Sequence, residues 1–335
     1  MEHRKLTRYL ISLMMILIMV GLAEWTNEKE ILFPEMTALI IGLLIIDKRV
    51  WNVKRWQIIL LMTLGAVAGI CIVRYSPLPY VVNLCAAFAF AGASLLISRA
   101  TLIPLISACV LPVLLHTESI VYPIAVFSMS VSVVLVQIIL EKCGIRNRMP
   151  KSVGRKPGKE DIIRWLILFC FVGALAGLAV SMDYPYLILP PLMVTFVEMV
   201  NSKAGFKNRP TQVFLFLATA ATLGTVLQIV GHHHLHLPES IIALTIAAIL
   251  FLIFEWTGKF FAPAGALAFI PMLLPKENLG WLPLEASIGA ALFITIAMIV
   301  FQKCYKWNRA QLIFCATPTL LREYMNRKKR KKQIE

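Results

Sequence analysis

Charge is scarce in this chain. Only 15% of its 335 residues are Asp, Glu, Lys or Arg, whereas a soluble domain averages roughly 25%. The hydrophobic share is 59%, a surplus that no buried soluble core of this size absorbs, so bilayer lipid must solvate the remainder. Paired cysteines are missing as well. The seven cysteines (71, 85, 109, 143, 170, 304 and 315) form no C-x-x-C pair and several sit in apolar runs, which excludes a disulfide framework or a zinc site as an expectation. No H-E-x-x-H, no G-x-x-x-x-G-K-[ST] loop and no nucleophile elbow occurs, and the carboxylates are scattered singly. A membrane phosphotransferase or metal-dependent prenyl chemistry therefore lacks its paired acids, and no enzyme, cofactor or metal is expected. ATP-driven transport would need another chain.

What remains is an all-α polytopic membrane protein. Apolar segments fall near 8–25, 31–47, 56–73, 80–98, 101–115, 119–140, 164–182, 185–200, 211–230, 239–257, 260–275 and 284–302. A crossing takes about 20 helical residues, so 101–115 and 260–275 are short enough to be re-entrant or broken. The first run resembles a signal peptide, but neither Glu24-Trp25 nor the residues after it offer a small-residue cleavage site.

The net charge of +15 is mostly a statement of topology. With about twelve transmembrane helices, every Lys and Arg except Lys29, Arg74 and Lys276 falls on one face. That asymmetry predicts cytoplasmic N and C termini in the cell membrane, and argues against a nucleic-acid partner.

The helices divide into two parallel six-helix repeats: 1–140, then a basic linker at 141–163, a second repeat at 164–303, and a basic tail at 304–335. The segment from Arg99 to Glu118 aligns without a gap on that from Gly258 to Glu277. Pro104 matches Pro263, Pro112 matches Pro271, and a Leu-Leu pair and the final Glu also repeat. Upstream, Ile31-Leu32-Phe33-Pro34 resembles Ile188-Leu189-Pro190-Pro191. An even number of spans per repeat makes the repeats parallel, and duplicated membrane proteins commonly bind substrate between their halves.

Leu189-Pro190-Pro191, then Phe206 to Pro210, then Phe261-Ala262-Pro263-Ala264-Gly265-Ala266, then Gly280-Trp281 and a final apolar span succeed one another in the second half. That order resembles the HPP integral membrane family, named for a His-Pro-Pro-Ala-Gly-Ala stretch, over roughly 164–303. Phe261 stands where the family has His and Ala262 where it has the first Pro, and in the first half only Pro104 of Leu102-Ile103-Pro104 is retained. Some members are associated with nitrite transport, so the resemblance implies a secondary transporter or channel for a small anion. A looser likeness to aromatic-acid exporters with six-span halves implies a larger organic acid instead.

Several residues are candidates for the site. Pro263, Ala264, Gly265 and Ala266 would present free N–H groups to an anion if a helix starts there, or would simply let two helices pack closely. Pro104 and Ser107 are the counterparts in the first half. Glu35, with Thr37 just inside it, reads as an interfacial, solvated carboxylate beside Glu28 and Glu30, or as a proton-relay group at membrane depth. Glu198 reads the same way, and Glu255 as an i,i+4 partner of Lys259. His232, His233, His234 and His236 suggest an exposed loop with incidental metal affinity. The tail, ending in a polybasic run from Arg327 to Lys332, would hold anionic lipid headgroups or serve only to enforce topology. The competing class is a non-transporting membrane scaffold or lipid-interacting protein.

Overall fold

The computed structural model describes residues 2–149, 154, 156–201 and 209–304. Among them every regular element is helical. Eight helical segments are long and apolar enough to cross a membrane. They are α1 (Glu2–Thr26), α3 (Arg55–Tyr75), α4 (Tyr80–Ser98), α6 (Val121–Lys142), α7 (Lys159–Ser181), α9 (Pro210–Leu227, extended by a π-helical turn Gln228–His234), α10 (Glu239–Thr257) and α13 (Leu282–Cys304). Between them lie α2 (Glu35–Ile40, continued by a π-helical turn Ile41–Ile45), α5 (Leu105–Leu115), α8 (Pro190–Asn201, preceded by a 3-10 turn Pro185–Ile188) and α11 (Ala262–Leu267, followed by a 3-10 turn Ile270–Leu273). A single-turn α12 (Lys276–Leu279) precedes α13.

Four segments are thus short, not two: 31–47 and 185–200 join 101–115 and 260–275. Proline fixes each start. Pro34 and Pro104 stand at the N-caps of α2 and α5, Pro190 and Pro191 open α8, and Pro263 lies in the first turn of α11. A proline's missing N–H costs nothing in the first turn, where the backbone donors have no helical partner.

The short helices form the core. Every residue of α2, of its π turn and of α11 is buried, as are Pro190–Val200 of α8 and Leu105–Leu114 of α5. On α7, by contrast, only Leu168, Val172, Ala176 and Ala179 are buried. The long helices surround the short ones and turn large apolar side chains outward, among them Leu17, Ile97, Leu166 and Leu252. Exposed Trp25, Trp56, Trp256 and Trp281 sit at helix ends, where amphipathic rings match a membrane–water interface. Irregular backbone at membrane depth is tolerated when protein rather than lipid encloses it, which is where these broken segments lie.

Helices from the N-terminal part of the chain pack on helices from its C-terminal part. Helix α1 packs on α10 and α7 on α4; α2 packs on α11 and α5 on α8. A Cβ added at Gly69 of α3 would fall on the Cys109 carbonyl and 3.0 Å from Pro112 Cγ. One added at Gly224 of α9 would fall on the Ala268 carbonyl and 3.1 Å from Pro271 Cγ. Both α4 and α10 stop at a left-handed residue, Arg99 (φ 54°) and Gly258 (φ 64°).

Candidate functional site

A narrow cavity lies where the four short helices meet. Its walls are Glu35 and Ala38 of α2, Pro104 and Ser107 of α5, Pro191, Val194 and Glu198 of α8, Ala262, Pro263 and Ala266 of α11, and Trp51 from the connection between α2 and α3. Its free space is about that of one water molecule.

The two carboxyl groups dominate its chemistry. Glu35, the first residue of α2, is 1% exposed and Glu198 is 4% exposed. The Ser107 hydroxyl donates to Glu35 Oε1, while Glu35 Oε2 is buried with no hydrogen-bond partner. Trp51 Nε1 donates to Glu198 Oε1 at 3.2 Å. The Trp51 ring in turn lies against Gly42, where an added Cβ would strike it, so the absence of a side chain on the π turn seats the indole. The expectation of solvated, interfacial carboxylates is therefore overturned for both residues. The reason is that α2 and α8 stand inside the ring of long helices, so protein takes the place of headgroups and water around them.

Of the sequence candidates, Glu35, Pro104, Ser107, Pro263 and Ala266 line this cavity. The other three do not. Gly265 faces α2, where an added Cβ would approach Thr37 Cγ2 to 3.2 Å, so the Ala-Gly-Ala run lets α11 and α2 pack closely. Thr37 is buried with its hydroxyl unpartnered, and Ala264 is fully buried outside the cavity wall. A six-residue α11 carries little macrodipole, which weakens the case for an anion held by its N–H groups alone. Sequence reasoning passed over Trp51, read Pro191 only as part of a motif, and left Glu198 between a solvated carboxylate and a proton-relay group without placing it among the site candidates. The Pro190-Pro191 pair was the available signal, since it places a helix start opposite that of α5.

Ionic contacts lie away from the cavity, toward the end of the bundle that holds the N-terminus. Arg8 pairs with Asp47, and Arg55 with Glu141. Arg146 lies 3.7 Å from Glu141 and donates to the Ile46 carbonyl at 2.7 Å, and burial draws its guanidinium down to about 10. Glu255 reaches α1 rather than closing the expected i,i+4 pair: Lys5 Nζ and Tyr9 Oη both donate to it. Lys259 Nζ donates to Gln212 at 3.0 Å. At the opposite end Glu24 of α1 accepts from the backbone N–H groups of Glu239 and Ser240, capping α10.

His232, His233 and His234 belong to the π-helical end of α9 rather than to a loop, and His236 comes just after it. Among the described residues no group of three or more His, Cys, Asp or Glu is placed to hold a metal ion. The expected lipid-binding tail after Cys304 and the Phe206–Asn208 part of the family-like loop lie outside the described residues. No family model, no curated protein and no solved structure matches this chain.

Proposed function

We propose that the chain is a secondary transporter or channel that moves a small anion, nitrite-like or a small carboxylate, across the cell membrane through the cavity between α2, α5, α8 and α11. The observation that carries the reading is the pair of buried carboxyl groups, Glu35 and Glu198, in one cavity where the four short, buried helices meet. Ionisable groups in such a position are expensive and mark solute or proton pathways, whereas a scaffold is served by apolar side chains throughout.

Duplication supports the same reading. The order long, short, long, long, short, long occurs twice along the chain. Gly69 against Cys109 and Pro112 is echoed by Gly224 against Ala268 and Pro271; the contacted residues share the offset that aligns Pro104 with Pro263, while the glycines fall four residues short of it. On this reading each short helix, with its extended lead-in, completes a crossing, giving twelve in two parallel repeats with the site between them. Both termini are then cytoplasmic, in keeping with the bias of Lys and Arg toward one face. The resemblance to the HPP family supplies the choice of a small anion, and the polybasic tail would engage anionic lipid headgroups on the cytoplasmic side.

The test is uptake of labelled nitrite, nitrate, formate and acetate by proteoliposomes containing the purified chain. Saturable uptake of one of them above protein-free vesicles is expected. Absence of uptake for all four, from folded protein, would move the reading to an exporter of larger organic acids or to the scaffold.

A further inference from the structure

The cavity contains acids and no base. Among the described residues its wall has two carboxyl groups and no Lys, Arg or His. Among the described residues the surrounding elements place no counter-charge in the wall: in the connection that carries Trp51, Arg49 donates to the Trp51 and Val53 carbonyls at 3.1 and 2.8 Å. Helix α11 has no titratable side chain, α5 contributes Cys109, and α6 contributes Tyr122, whose hydroxyl donates to the Ala108 carbonyl at 3.1 Å. On α1, Arg8 is engaged by Asp47, and on α13, Glu285 accepts from the backbone N–H of Tyr186. The indole facing Glu198 is neutral.

An anion entering this space beside two ionised carboxylates would meet repulsion with nothing to offset it. An ionised Glu35 would also leave one buried oxygen with no protein donor. Both difficulties vanish when the carboxyls carry protons. A neutral carboxyl removes the repulsion and supplies an O–H donor where the cavity has few others.

We infer that Glu35 and Glu198 form the proton site of this cavity, and that an anion occupies it only when both carboxyls are neutral. The inference rests on the transport reading above and deepens it. One proton arrives at a carboxylate oxygen from the side on which the anion enters while the other carboxyl keeps its proton, and one proton leaves with the anion on the other side, restoring the carboxylate. With one proton per anion the cycle moves no net charge. The substrate class is then the conjugate base of an acid, taken up from the more acidic side. Ser107 and Trp51 are positioning residues, each donating to one of the two carboxyls.

Two measurements test this. The first needs no substrate: infrared spectra of the purified protein in micelles at neutral pH, with Glu35→Gln and Glu198→Gln. Glutamine keeps the shape and still accepts from Ser107 or Trp51, so both variants retain the packing around the site. A carboxylic-acid C=O band diminished in each variant is expected; spectra unchanged by either substitution overturn the proton site. The second is the uptake assay with nitrate and formate under an imposed pH gradient. One pH unit, acid outside, should raise accumulation about tenfold in the parent protein, the factor equivalent to one proton. Replacing the carboxyl that releases its proton should cut that response to less than about twofold, since the glutamine mimics a fixed proton, and the other variant should keep it; an undiminished response in both variants overturns the inference. Uptake by the parent that ignores the gradient overturns the inference and leaves the transport reading standing. A carboxylic-acid band lost in the variants, with no uptake of any anion tested, keeps the proton site and sinks the anion reading.

Discussion

Two glutamates on the same side of the bundle show how far burial sets the value of a charge. Glu255 and Lys5 are each nearly half exposed, at 45% and 44% of their side chains, so their contact is worth no more than about 1 kcal/mol. Glu141 and Arg146 are 6% and 1% exposed, and removing the acid would strand a buried guanidinium. Glu141→Gln should therefore destabilise the protein by about 3–5 kcal/mol, and Glu255→Gln by about 1 kcal/mol or less. Thermal unfolding in detergent micelles separates the two; equal effects would mean that water reaches Arg146. Trp51→Phe removes the donor to a buried carboxyl and should cost about 1–3 kcal/mol by the same measurement. The residues that line the cavity were only partly legible. Pro104 and Pro263 stood out because proline announces a helix start, and Glu35 because an acid at the edge of an apolar run can be a proton-relay group. The pairing of Trp51 with Glu198 spans 147 positions and leaves no periodic trace.

Glycine decides how closely the long helices approach the short ones. At Gly224 the chain of α9 lies against the Ala268 carbonyl, and backbone yields far less readily than a side chain. Gly224→Ala should overpack this contact and destabilise by about 1–3 kcal/mol. Gly177 on α7 has nothing within 4 Å of an added Cβ, so Gly177→Ala should be neutral, or stabilising by up to about 1 kcal/mol through helix propensity. A matching loss at both positions would remove the close approach from the account. Gly265→Leu should abolish uptake, and the reason lies in the packing of α11 on α2 rather than in a backbone cradle for the anion. The boundaries of α2 and α8 were readable from Pro34 and Pro190-Pro191, but their shortness was not. Their flanking residues are apolar too, and hydropathy counts apolar residues whether or not they are helical.

At the scale of the whole molecule, the proposed crossings place Lys29, Ser119 and Lys276 on one side and Arg99 and Lys259 on the other. Each of these positions, replaced by cysteine in a cysteine-free background, should report its side to a membrane-impermeant maleimide. Lys29→Cys, Ser119→Cys and Lys276→Cys should react in intact cells, and Arg99→Cys and Lys259→Cys only after permeabilisation. A swapped pattern would invert the orientation. Labelling of Ser119→Cys from the same side as Arg99→Cys would show that α5 is re-entrant and would reduce the number of crossings. The ties between α1 and α10 at both ends, through Glu255 and Glu24, join helices from opposite halves, so neither half is expected to move as an independent body.

Composition alone determined that this chain partitions into a bilayer, because the excess of apolar side chains exceeds what any soluble core conceals. The placement of Lys and Arg predicts a sidedness, and the prolines mark where the short helices begin. Which apolar helices meet lipid and which meet protein was decided only by the tertiary structure. A leucine facing a lipid tail and a leucine facing another helix have the same hydropathy, and the difference between them is a matter of neighbours. The same holds for the acids. Glu35 and Glu198, far apart in the chain, came to line one cavity only when four short helices brought their ends together around one small space.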